Sequence, residues 1–166
     1  MGTLDSDIQE LQSRLREGSI QRANRAIIAF MSRLRKTFAD LHGEQAVSGL
    51  YQGYFDMTYF ALFPEDMKAR DLKLAVVFNY ETFSFEAWLS ARNRKVQRRY
   101  WEILNHAGFK QYPLIEPSVG IDAIVVAVLA ASYSLENEAS LIAGIIEGVA
   151  AFERQMLLFF GHLDGD

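Results

Sequence analysis

The spacing of hydrophobic positions changes period along the chain. Leu4, Ile8, Leu11 and Leu15 recur at helical spacing, and Gly18 stops the run. Ser19 is placed to cap a second helix, whose apolar face is Ile20, Ala23, Ile27, Phe30, Met31, Leu34 and Phe38, with Gly43 at its end. The short connection predicts an antiparallel helical hairpin. From Ala46 the pattern turns to strand formers: Leu50, Tyr51, Tyr54, Phe55, Tyr59, Phe60 and Phe63. Gly49 and Gly53 let backbone come close or a strand bulge. The segment reads either as a hairpin turning near Asp56 or as one long bulged strand, and Pro64 ends it. Residues 72–78 alternate Leu72, Leu74, Val76 and Phe78 against Lys73, Ala75 and Val77. After a turn at 79–82, Phe83, Phe85, Ala87 and Leu89 face one way and Ser84, Glu86, Trp88 and Ser90 the other, completing the clearest hairpin in the chain.

Helical spacing then returns. Asn93 or Ser90 opens a helix that Gly108 closes, and residues 112–116 suit a short edge strand. Residues 118–131 are ambiguous. Their valines suggest a strand, but Ala123, Ala127, Ala130 and Ala131 and the spacing of Ile121, Ile124, Val125, Val128 and Leu129 favour a buried helix. A last helix over about residues 135–160 carries Leu141, Ile142, Ile145, Val149, Phe152, Met156 and Phe159 on one face. Together these elements predict an α+β fold in a single domain over 1–166. An antiparallel sheet of about four strands packs against the N-terminal helix pair and the C-terminal helices, with 72–78 and 83–89 adjacent and antiparallel.

Composition narrows the class. A chain of 166 residues, half of them hydrophobic and 23% charged, has the makeup of a globular protein and not of a disordered one. A net charge of -4 argues against a dedicated nucleic-acid binder, though not against a local basic patch. The absence of cysteine removes disulfides, thiolate nucleophiles and cysteine metal sites together. Asp5, Asp7 and Glu10 stand where a signal peptide needs a basic start, and the longest apolar stretch, 121–131, is too short to cross a bilayer. A cytoplasmic protein with no membrane contact is expected.

Three places invite chemistry. The first is a basic helix with Arg92, Arg94, Lys95, Arg98 and Arg99, set opposite Val96, Tyr100, Ile103 and Leu104. Clustered cations repel one another, and a bound phosphate or carboxylate relieves that repulsion, with Arg94, Arg98 and Arg99 as the leading contacts. The plainer alternative is a solvated face paired with acids such as Glu86, Glu81 or Asp71. The second is the tyrosine-rich segment Tyr51, Gln52, Tyr54, Asp56, Thr58 and Tyr59, whose outward half is a candidate to line a pocket with hydroxyls and aromatic faces. The commoner alternative is core packing with a polar tip. Glu86 and Trp88 of the hairpin are further candidate ligand contacts. The third is a metal-dependent nuclease core on Asp56 and Glu86. However, Glu86-Ala87-Trp88 has tryptophan where such sites carry lysine, so no metal and no cofactor are expected. His42, His106 and His162 are scattered, each near a helix C-terminus. No nucleophile elbow or phosphate-cradling glycine loop is present, and no catalytic residue is assigned.

The stretches YQGYFDMTYFALFP, LKLAVVFNYETFSFEAWLSARNRKVQRRYW and GIDAI, in that order, resemble a bacterial family of about this length known only as a domain of unknown function. The resemblance runs from the N-terminal helical pair through the C-terminal helix, and the middle block is its specific part. It implies a free-standing cytoplasmic protein and carries over no activity, substrate or catalytic residue.

The expected function is therefore a non-catalytic binding domain for a small anionic ligand or an acidic partner, held by the basic helix and the outward aromatics. The alternative is an enzyme acting on a phosphate-containing substrate, with Asp56 and Glu86 as acids and the arginines as charge clamps. Convergence of both acids and two cations in one cleft favours the enzyme, whereas Glu86 paired with a surface arginine removes it. A homodimer through the last helix is also expected, from its wide apolar stripe and the adjacent Phe159 and Phe160.

Overall fold

The computed structural model describes residues 2–165. Its centre is one antiparallel sheet of five strands, each lying beside its neighbour in sequence. The strands are β1 (Tyr51–Gln52), β2 (Met57–Leu62), β3 (Leu72–Asn79), β4 (Ser84–Ala91) and β5 (Ala123–Ala130). The helices are α1 (Leu4–Glu17), α2 (Ser19–His42), the single turn α3 (Glu65–Lys68), α4 (Arg94–His106) and α5 (Glu138–Asp164). The expected α+β class holds, and β3 and β4 pair from Leu72↔Ala91 to Asn79↔Ser84.

Alternation sorts the sheet into two faces. Phe60, Leu62, Leu74, Val76, Phe78, Phe85, Ala87 and Leu89 point one way and belong to a single continuous core. Ile27, Phe30, Met31, Leu34 and Phe38 of α2, Tyr100 and Leu104 of α4, and Ile145, Val149, Phe152, Met156 and Phe160 of α5 complete that core. Phe30 meets Phe85 edge-on at 5.1 Å, and Tyr100 meets Phe160 at 5.5 Å. The second face carries Tyr59, Val77, Glu86, Trp88 and Ser90, and the loop from α4 to β5 wraps towards it.

The local signals act largely as read. Asn93 caps α4, its side chain accepting from Val96 N–H at 3.0 Å. Gly18 ends α1 in the left-handed conformation, φ 75. The tyrosine-rich segment is a hairpin turning over residues 53–56. A Cβ on Gly53 there would lie 2.5 Å from the Met57 carbonyl oxygen, so only glycine fits.

Several expectations are corrected. Residues 118–131 are not a helix; β5 lies inside them and raises the strand count to five. Its run AIVVAVLA buries Val125 and Ala127 on the helix side while bonding along β4, and the β-branched Val126 and Val128 suit the opposite face of the pleat. Residues 112–116 form no strand. A lone antiparallel bridge, Leu114↔Val125, attaches them to the free edge of β5. Phe83 lies outside β4, and its ring meets Phe78 and Tyr80 edge-on at the margin of the core. It closes the 80–83 turn at φ 50, and its side chain is exposed. Ser19 does not cap α2; Gly18 occupies the N-cap position with no side-chain bond. Finally, the apolar stripe of α5 is spent inside the core, leaving Leu158 as its one large hydrophobic residue counted as exposed. Most of that stripe faces the core, so its width by itself carries no argument for a dimer through this helix.

Candidate functional site

The second face of the sheet holds a cleft of about 620 Å³, within the range of small-molecule sites. Its floor is strand: Met57 from β2, Asn79 from β3, Glu86 and Trp88 from β4, and Ala123 and Val126 from β5. The β1–β2 turn brings Phe55 and Asp56 to one rim and the β3–β4 turn brings Glu81. Pro113, Ile115, Gly120 and Ile121 from the α4–β5 loop make the opposite wall.

Glu86 sits on the floor with only 4% of its surface exposed. Burying a carboxylate is costly unless its lone pairs are filled. Here they are filled by neutral donors. The Trp88 indole N–H donates to Oε2 at 2.7 Å, and the Ser84 and Thr82 hydroxyls donate to Oε1 at 2.9 and 3.1 Å. The Asn79 amide stands at 3.4 Å from Oε1. No cation pairs with Glu86 among the described residues, so the arginine pairing that would have made it a plain surface ion pair is not what the fold builds. Asp56 sits at the rim, where its carboxylate accepts from Met57 N–H at 2.7 Å. Asp56, Glu81 and Glu86 thus line one cleft, together with Phe55 and Trp88, and no lysine, arginine or histidine joins them. Among the described residues no three carboxylates or imidazoles stand together as a metal site.

Trp88 and Met57 also border a much smaller cavity of about 20 Å³ lined by Tyr59, Lys73, Ser90 and Asp122. Burial there, and secondarily the Asp122 carboxylate, raise the Tyr59 hydroxyl above its ordinary pKa.

The profile of a family described as a domain of unknown function, DUF7000, matches residues 4–160. The chain belongs to that family. No curated protein and no solved structure matches it. The DUF7000 match spans every residue of the cleft and all of α1 and α4.

The other residues singled out in this DUF7000 chain lie elsewhere. The Arg94 guanidinium holds the α4–β5 loop, donating to the carbonyls of Ile121 at 2.6 Å and Ser118 at 3.2 Å, with Asp122 at 3.3 Å. Gln97, buried beneath it, donates to the same Ile121 carbonyl at 2.9 Å. Arg94 therefore shapes the cleft wall without lining it. Arg98 and Arg99 are exposed on the outer side of α4, and Arg99 lies over the Tyr100 ring at 5.8 Å. Tyr51 packs on Tyr59 at 5.0 Å, and Tyr54 is 96% exposed at the hairpin tip. The structure therefore brings Asp56, Glu86 and Trp88 together and keeps Tyr51, Tyr54, Arg94, Arg98 and Arg99 out of the cleft. Sequence reasoning missed Asn79, Thr82 and Ser84 as partners of Glu86. The signal was available: Thr82, Ser84, Glu86 and Trp88 alternate, which puts hydroxyls, carboxylate and indole on one side.

Proposed function

We propose that this protein is a non-catalytic binding domain whose ligand is a small organic cation, an amine or guanidinium on an apolar body. The observation that carries the reading is Glu86, a buried carboxylate fixed by neutral donors at the base of a cleft that holds further carboxylates and no cation. A cationic group entering there gains Coulombic attraction to the buried Glu86 charge and charge-assisted hydrogen bonds to the rim carboxylates Asp56 and Glu81. Trp88 and Phe55 add aromatic faces suited to a cation, while Met57, Pro113, Ile115, Ile121 and Val126 suit the apolar body. The same charges oppose a phosphate substrate in this cleft, which weighs against Asp56 and Glu86 acting as the acids of a phosphate-directed enzyme.

The test is calorimetric titration and thermal shift with phenethylamine, agmatine and tetramethylammonium, set against benzoate and inorganic phosphate. A ligand that binds only the folded state raises the melting temperature. Cations should stabilise and anions should not, with Trp88 fluorescence reporting the same binding in a Trp101→Phe background. Glu86→Gln should weaken the cation by about tenfold or more, since it removes a buried negative charge that the ligand faces across a poorly screened cleft. Stabilisation by phosphate alone would sink this reading. It would favour a second one, an anion site on α4, for which the observation is that Arg98 and Arg99 are exposed and make no ion pair among the described residues.

A further inference from the structure

α1 is a complete helix that contributes no buried residue. Its N-terminus is capped by the Thr3 hydroxyl, and Gly18 ends it, so it is locally well specified. Yet Leu4, Ile8, Leu11 and Leu15 are 75%, 55%, 52% and 37% exposed. The four are spaced 4, 3 and 4 apart, a two-heptad seam with Leu4 and Leu11 in one register position and Ile8 and Leu15 in the other. Ile8, Leu11 and Leu15 line a shallow groove with Gln12 and Arg16. A helix with such a stripe acquires stability from a surface that covers it.

The charges along α1 choose that surface. Asp5, Asp7 and Glu10 fill the N-terminal half. Arg14 and Arg16 outnumber Glu17 in the C-terminal half, and the exposed Arg22 and Arg25 follow at the start of α2. The N-terminal half is therefore acidic and the C-terminal half net basic. We propose that α1 docks against α1 of a second copy of this chain, antiparallel. That arrangement layers Leu4 on Leu15 and Ile8 on Leu11 of the other copy. It also brings Asp7, which flanks the seam, towards Arg14 of the other copy, twice by symmetry, adding an acid from the second chain to the exposed pairs that Arg14 makes with Glu10 and Glu17 of its own helix. A parallel pair would place acid on acid and base on base. An anionic lipid surface is also disfavoured, since α1 carries four acids against two bases.

The seam is short, and interfaces well below about 1,600 Å² of buried surface tend to be weak. The association is accordingly sought by sedimentation equilibrium of the full chain from about 5 to about 300 µM, a range suited to weak dimers. The average mass should climb from monomer towards dimer. Leu11→Glu should hold the protein monomeric with an unchanged melting temperature; if that variant melts lower, Ile8→Gln replaces it. Asp7→Lys and Arg14→Glu should each weaken self-association by about three- to tenfold, the effect of turning two exposed attractions into repulsions. Mixed in equal amounts, the two variants should recover, because each then meets its opposite charge at both contacts. A mass that stays monomeric throughout, a dimer that survives Leu11→Glu, or variants that fail to recover on mixing would each overturn the antiparallel α1 pair.

Discussion

Truncating Glu86 to alanine would orphan the Trp88 indole and the Ser84 and Thr82 hydroxyls on the cleft floor. Each buried donor left without an acceptor costs about 1–3 kcal/mol, so urea denaturation of Glu86→Ala should show a loss in that range or above. Glu86→Gln keeps one carbonyl acceptor and should lose less. On α4 the arginines divide by what they touch. Arg94→Gln removes the bonds to Ser118, Ile121 and Asp122 and should cost about 1–2 kcal/mol, with faster amide exchange through residues 118–123. Arg98→Gln and Arg99→Gln should change stability by less than about 0.5 kcal/mol, as for other exposed charges. This difference was not legible in the sequence. All three arginines recur at similar helical spacing, and only the loop some 24 residues downstream singles out Arg94. Glu153 tests burial directly. Desolvation holds its carboxyl above the ordinary range, partly offset by His42. A raised carboxyl pKa means the folded state binds that proton more tightly, so its contribution is present at low pH and lost as pH rises through the folded value. Glu153→Gln should therefore raise the melting temperature at pH 7 and leave it unchanged in acid.

The turns and junctions between elements carry predictions of their own. A side chain on Gly53 would press on Met57 O and on the Asp56 carboxylate, so Gly53→Ala should release β1 from β2 at a cost of about 1–3 kcal/mol. Loss of protection at Tyr51 and Gln52 in amide exchange is the readout. α2 and α5 are tied by Arg33 and Glu138, whose bond at 2.5 Å holds the Glu138 carboxyl below its ordinary value. A lowered pKa contributes stability above the unfolded value, near 4.5, that is lost as pH falls through the folded one. Glu138→Gln should thus flatten the acid side of the stability profile, and added salt should shrink the difference, because the pair is exposed. At this scale the β3–β4 hairpin and the caps were legible, since they depend on near neighbours in the chain. The strand character of β5 was not. An apolar run of valine and alanine satisfies both periods, and pairing with β4 is what selects the pleat.

In the whole molecule, two surfaces carry the proposals made above: the acidic cleft and the stripe of α1. Removing residues 1–17 should leave the melting temperature of the remainder nearly unchanged, because nothing in α1 is buried in the body. A large loss on removal would mean that α1 packs on its own chain instead. No helix among the described residues is long and apolar enough to cross a membrane. The sequence alone was sufficient for the α+β class, the central hairpin, most helix boundaries and the two faces of β4, because capping, glycine stops and periodicity act within a few residues of chain. The tertiary structure decided which faces meet. It folded the stripe of α5 into the core and left that of α1 uncovered, although both read as apolar helix faces. It also turned the 113–121 loop over β4, so that Glu86 became a buried carboxylate among neutral donors rather than the partner of a surface arginine. Burial and charge pairing are set by segments distant in sequence, and a local pattern holds no record of which distant segment arrives.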